Sequence, residues 1–159
     1  MDEDLKEYIS TVKNDNDKRD KQMCEVIDNL VAIHDQTFDT GVNSYGTDII
    51  TLLLSYMERL TYLDKNRMSY ETYERFAGFL EVPPQKETTY LQNAKSEFEN
   101  DHHGAHSIET VLLSVSNSIT NPTFRVYLIL FTIGIFKDEG AITKSQRVFL
   151  EKLFDDIKI

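Results

Sequence analysis

The sequence predicts an all-α protein, a single compact domain of about seven helices. Through most of the 159 residues, apolar side chains recur at the i, i+3, i+4, i+7 spacing of amphipathic helices. No segment shows the sustained alternation of apolar and polar residues that marks a half-buried strand. Hydrophobic residues make up 40% and charged residues 28% of the chain, which is the composition of a globular domain.

The first two helices belong to the N-terminal segment, residues 1–46, which we interpret as a variable lead packed on the same domain. One apolar stripe runs over residues 5–12 and a second over residues 23–34, and the polar run at 14–17 separates them. The glycines, asparagine and serine of residues 38–46 predict a loop.

The remaining helices form a predicted core over residues 47–159. Ser69, Asn121 and Thr143 stand at N-cap positions, Asn121 is followed by a proline, and Thr143 forms a capping box with Gln146. The most apolar helix is expected to be central and enclosed, because it has no polar face. The predicted helices span residues 49–63, 69–80, 85–99, 107–119, 122–136 and 143–157.

Two stretches of this core look alike and predict a pseudo-repeated pair of helical hairpins, at about 49–81 and 122–158. Each has an apolar helix, a short polar turn, an apolar residue, a Ser or Thr cap and a second helix. The apolar and cap positions are Met68 and Ser69 in the first hairpin and Ile142 and Thr143 in the second. Two such hairpins can bury a shared core by facing each other.

With this repeat and these turns, the segment from Thr47 to Ile159 resembles the tellurite-resistance TerB-like family. The resemblance implies two hairpins whose turns carry Asp-Gly, an apolar residue, a cap and then acidic residues. The first turn departs from that pattern with Asn66-Arg67, and the second has Glu139-Gly140. The family is associated with bacterial and phage stress and defence systems, so the resemblance implies a similar role here.

The acidic turn residues of the family are suspected metal ligands, so the resemblance implies a candidate cation site in this chain. Its oxygen ligands suit calcium better than zinc, although they serve equally as turn and capping residues. A cation site also requires the two turns to converge. The matching residues are Asp64, Asn66, Glu71, Asp138 and Glu139.

A second group of possible metal ligands is the histidine segment His102, His103 and His106. Three imidazoles next to Asp101 suffice chemically for a transition metal, and a metal-dependent enzyme is one hypothesis for them. Adjacent histidines point to opposite sides of an extended chain, which favours a plain interhelical loop instead. The single Cys24 excludes a disulfide framework, and its helical stripe predicts a reduced, buried thiol.

The charge balance limits the classes of molecule that the chain is expected to bind. With 27 acidic and 17 basic residues the net charge is −10, which argues against nucleic-acid binding. The longest apolar run, residues 124–136, is too short to cross a bilayer, and the acidic N-terminus does not look like a signal peptide, so we expect no membrane insertion and a cytoplasmic location. The sequence contains neither a nucleophile elbow nor a phosphate-binding glycine loop, so no motif in it indicates an enzyme.

The predicted function is therefore a non-enzymatic protein-interaction module with an acidic surface. Tyr70 and Tyr73 lie beside Phe76 and Phe79 on one helix and are candidates for a partner-binding patch, with core packing as the other interpretation. The alternative function is an acidic inhibitor or immunity protein that binds a basic partner such as a nuclease.

Overall fold

In a computed structural model of the chain, residues 3–37, 49–60, 69–81 and 121–157 are described. They are helical, with no strand among them, which confirms the all-α class. The helices are α1 (Glu3–Thr11), α2 (Asn16–Thr37), α3 (Ile49–Leu60), α4 (Tyr70–Phe79), α5 (Pro122–Glu139) and α6 (Lys144–Ile157). The helices predicted over 85–99 and 107–119 and the loop at 38–46 lie outside the described residues. The count of about seven helices therefore stays a prediction.

Helix α5 is the centre of the fold, as its uniformly apolar sequence predicts. From Leu128 to Phe136 every residue is buried except Leu130, which is half-buried. Helices α1, α2, α4 and α6 all contact it. In the described part of the chain no helix is both long and apolar enough to span a membrane.

The N-terminal segment is a full part of this core. Helix α2 makes the most extensive contact with α5, larger than that of any other helix in the described chain. Its apolar stripe, Met23, Val26, Ile27 and Leu30, is buried, as is Leu5 of α1. The N-terminal segment, which the sequence predicts to be a variable lead, therefore provides the main cover of the central helix.

Local capping sets where the helices begin, as the sequence predicts. The Ser69 hydroxyl accepts from the Thr72 amide, and the Asn121 side chain accepts from the amides of Thr123 and Phe124. The Thr143 amide donates to the Gln146 side chain at 2.9 Å and the Gln146 amide donates back to the Thr143 hydroxyl at 3.1 Å, which completes the capping box.

A glycine ends α5. Gly140 adopts a φ of 131°, a region that residues with a Cβ rarely enter, and the chain turns there into α6. On α6, Phe149, Leu150 and Leu153 face inward, as their spacing predicts.

A buried hydrogen bond joins α3 to the central helix. The hydroxyl groups of Tyr56 and Thr132 lie 2.6 Å apart, and both side chains are fully buried. Burial raises the pKa of the Tyr56 hydroxyl, so it stays neutral and can bond Thr132 without placing a charge in the core.

Close packing of α2 on α5 depends on Gly134. A Cβ built on this glycine would overlap the sulfur of Met23, which is itself fully buried and has no solvent to move into. We therefore expect Gly134→Ala to lower the free energy of unfolding by about 1–3 kcal/mol, despite the better helix propensity of alanine. Urea unfolding followed by circular dichroism measures the change.

The matched control is Gly78→Ala on α4. Gly78 is exposed, and no atom lies within 4 Å of a Cβ built there, so alanine should stabilise the protein by up to about 1 kcal/mol. In a Met23→Ala background, Gly134→Ala should lose its cost because the overlapping side chain is gone. An unchanged cost in that background would show that Met23 is not the obstacle.

Candidate functional site

Polar side chains from three helices meet where α5 leaves the core, and we call this cluster the polar junction. It consists of Arg19, Asp20, Thr72, Arg75 and Asp138. The Asp138 carboxylate is its centre. One oxygen accepts from Arg19 at 2.9 Å and the other accepts from the Thr72 hydroxyl at 2.9 Å. The Nε of Arg75 lies 3.7 Å from the first oxygen.

Arg19 is the buried cation of this junction, with 3% of its side chain exposed. Besides Asp138, its guanidinium donates to the Asn14 carbonyl at 2.9 Å and to the Asn16 side chain. A buried guanidinium is costly unless its donors are paired, so these bonds fix the turn between α1 and α2 against the end of α5. Nearby, the Lys137 ammonium donates to the Val12 carbonyl, and burial followed by the charge of Arg19 lowers its pKa.

Arg75 connects α4 to α2. Its Nη2 donates to both carboxylate oxygens of Asp20, each at 2.7 Å, and its Nε donates to one of them at 3.2 Å, so two nitrogens of the guanidinium engage one carboxylate. The hydrogen bond with Asp20 raises the pKa of Arg75, and the charge of Asp138 adds to this effect. The junction therefore holds α2, α4 and α5 together by charge.

The end of α5 lies beside the start of α4. Glu139, at the end of α5, accepts from the Ser69 amide at 2.7 Å at the start of α4. A carboxylate at a helix N-terminus is stabilised by the unpaired amides and the helix dipole. This contact gives Glu139 a capping role for α4.

The described members of the predicted cation site have protein partners or are exposed. Asp138 forms an ion pair with the guanidinium of Arg19, Glu139 caps α4, and Glu71 is exposed. Asp64 and Asn66 lie outside the described residues. Within residues 3–37, 49–60, 69–81 and 121–157, no three His, Cys, Asp or Glu side chains are grouped as a metal site would require. The histidine segment 102–106 falls outside these ranges.

The predicted tyrosine patch is not formed as a pair of exposed rings. Tyr73 is 1% exposed and belongs to the core, so only the half-buried Tyr70 reaches the surface. The two rings are nearly parallel, with centroids 6.5 Å apart. Their spacing along the helix places Tyr73 on the face that packs inward, beside Phe76, which meets Phe131 of α5.

An open groove lies on the other side of α2, and the sequence gives no direct sign of it. Its volume is about 420 Å³, and it is bounded by α2, α3 and the end of α4. Apolar side chains form its walls and two carboxylates stand at its edge. The lining residues are Cys24, Ile27, Asp28, Val31, Ile49, Ile50, Leu53, Phe79, Leu80 and Glu81.

Cys24 is exposed in this groove, and the prediction of a buried thiol is wrong. The apolar stripe of α2 passes through its neighbours Met23 and Ile27, and Cys24 lies at the margin of that stripe. Partial burial in the groove wall raises the pKa of the thiol, and the carboxylates of Asp28, Asp20 and Glu81 raise it further. The thiol is therefore accessible but a weak nucleophile at neutral pH.

Sequence reasoning missed the arginines of the polar junction. Arg19 and Arg75 lie in helices with clear apolar stripes, and no feature of the neighbouring sequence distinguishes a buried arginine from a surface one. The available signal was a charged residue next to an inward position, Arg75 beside Phe76 and Arg19 four residues before Met23. Which carboxylate it would meet depends on the fold.

Comparison of the chain with protein-family models, with curated proteins and with solved structures gave no significant match. The groove and the polar junction therefore have to be interpreted from their own chemistry.

Removing the charge of Asp138 tests the junction. Asp138→Asn keeps the side-chain size but leaves Arg19 buried without its counter-ion, so we expect the free energy of unfolding to fall by about 3 kcal/mol. Guanidinium chloride unfolding measures the loss. As control, Glu3→Gln removes the exposed pair of Glu3 with Lys6 and should change stability by less than about 0.5 kcal/mol.

The thiol of Cys24 provides a pH-dependent test of the groove. Because its pKa is raised, alkylation by the neutral reagent iodoacetamide should reach half its maximal rate at a higher pH in the folded protein than in urea. Asp28→Asn with Glu81→Gln should move that midpoint down, since two repelling charges are lost. Glu25→Gln, on the same helix but outside the groove lining, should leave it in place; an equal shift in both variants would contradict the assignment.

Proposed function

We propose that this chain is a non-enzymatic protein-interaction module that docks on a partner through the acidic groove between α2, α3 and α4. The groove carries the proposal because apolar walls with charged groups at the edge are the usual make-up of a protein-binding surface. The paired hairpins α3–α4 and α5–α6, capped at Ser69 and Thr143, support a TerB-like role in stress or defence.

Cation binding at the two turns is a separable part of this hypothesis. Asp138 is already neutralised by Arg19, so a cation there would have to displace a buried guanidinium. We expect calorimetric titration with calcium, and separately with zinc, to give no saturable heat below about 1 mM metal. Tight binding of either ion, lost in Asp138→Asn, would make the turns a metal site and replace docking as the leading role.

The inhibitor or immunity function is a second candidate, favoured by a specific observation. Within the described chain, the side chains of Asp28 and Glu81 at the groove edge form neither an ion pair nor a hydrogen bond. Unpaired carboxylates on a protein with net charge −10 favour a basic partner. A basic nuclease is one such partner.

Retention of partners from native lysate tests the docking function. The full chain, its double variant Asp28→Asn with Glu81→Gln, and a control with Glu7→Gln and Asp155→Asn are immobilised separately. All three are washed at about 50 mM and about 500 mM salt, because added salt screens surface charges. The control changes the net charge equally at exposed positions on α1 and α6.

We expect a protein held by the wild type and the control but released by the groove variant, most clearly at low salt, because high salt also screens the groove carboxylates of the wild type. Equal retention by all three would mean that docking does not use the groove. No specific retention would contradict the interaction function itself. Loss of nuclease activity in the retained partner would favour the inhibitor.

A further inference from the structure

We infer that the groove takes a basic amphipathic helix of a partner protein, with an apolar face between α2 and α3 and Lys or Arg side chains against Asp28 and Glu81. This inference rests on the proposed docking function and specifies the chemistry of its partner.

The shape of the groove matches a helix. On α2, its wall consists of Cys24, Ile27, Asp28 and Val31, one stripe with i, i+3, i+4 and i+7 spacing that is about 10 Å long. Ile49, Ile50 and Leu53 of α3 form the opposite wall. Two turns of a third helix fit between two such walls and place apolar anchors at the same spacing.

The walls also offer apolar surface that a partner can cover. Val31, Ile50 and Phe79 are each half-buried, while Ile27, Leu53 and Leu80 beneath them are buried. A helix laid between the walls would remove the remaining apolar area from water, which is favourable at about 25 cal/mol per Å².

The carboxylates at the groove edge favour a partner surface of positive charge. Asp20 is neutralised by Arg75, but Asp28 and Glu81 have no cation against them in the described chain. Both line the groove together with Cys24, whose thiol pKa their charges raise. A small apolar ligand would leave these carboxylates uncompensated, and a second copy of this acidic chain would repel them.

The chain supplies two reporters for a direct test. It contains no tryptophan, so a Trp on the apolar face of a synthetic peptide reports binding through its own fluorescence. Cys24 is the single cysteine and lies in the groove, so protection from iodoacetamide shows where the peptide binds. The probes are peptides of about 14 residues, long enough to form a helix on binding.

Three peptides separate shape from charge. The first has Leu on one helical face and Lys on the other, the second has the same composition in scrambled order, and the third replaces Lys with Gln. We expect only the first to bind the full chain and to slow alkylation of Cys24 at least tenfold. Asp28→Asn with Glu81→Gln should weaken its binding about five- to tenfold, as expected for two edge ion pairs. Glu7→Gln with Asp155→Asn should leave it unchanged.

Each other outcome overturns the inference. Equal binding of the scrambled peptide would show attraction by net charge alone, and equal binding of the Gln peptide would show that the edge carboxylates do not select the partner. Binding without protection of Cys24 would place the helix elsewhere.

Two further results separate this inference from the docking function on which it rests. The first result concerns alkylation of Cys24 by iodoacetamide in the free protein, at a pH high enough to ionise the thiol. If this alkylation is no faster than the unfolding of the protein, the chain itself covers the groove. That result overturns both the helix and the groove as docking surface. If the lysate partner still depends on Asp28 and Glu81 while the Lys peptide does not bind, docking stands and the basic helix is wrong.

Discussion

Helix α5 has no polar face, and the need to remove it from water on all sides organises the rest of the structure. Helices from both ends of the chain contact it, and α2 approaches so closely that Gly134 has to lack a side chain opposite Met23. Tyr56 of α3 reaches it through a buried hydroxyl contact with Thr132. Enclosure of one helix thus explains why the N-terminal segment belongs to the core.

The end of α5 is where this apolar enclosure meets charge. Asp138 emerges beside Arg19 and Thr72, and Arg75 extends the network to Asp20. Buried ion pairs contribute little net stability compared with apolar packing, but they penalise any arrangement that leaves one partner alone. The polar junction therefore selects one relative placement of α2, α4 and α5. This structural role accounts for Asp138, a residue for which cation binding was the expectation.

Two sides of α2 have different surroundings. Its inner stripe packs on α5, and the margin of the same stripe, from Cys24 to Val31, forms one wall of the open groove. Among the described residues, the side chains of Asp28 and Glu81 have no ion-pair or hydrogen-bond partner, in contrast to the carboxylates of the junction. That contrast distinguishes acidic residues that hold the fold from acidic residues available to a basic partner.

The sequence by itself determined what depends on local chemistry. Periodicity gave the all-α class, and the caps at Ser69, Asn121 and Thr143 gave helix starts, because capping bonds join residues within one turn. Only the tertiary structure decided that Cys24 is exposed, that Tyr73 is buried and that Asp138 faces Arg19. The exposure of Cys24 and the burial of Tyr73 depend on which part of each helix surface a neighbouring helix covers. The third joins residues 119 positions apart, a distance over which no local pattern carries information.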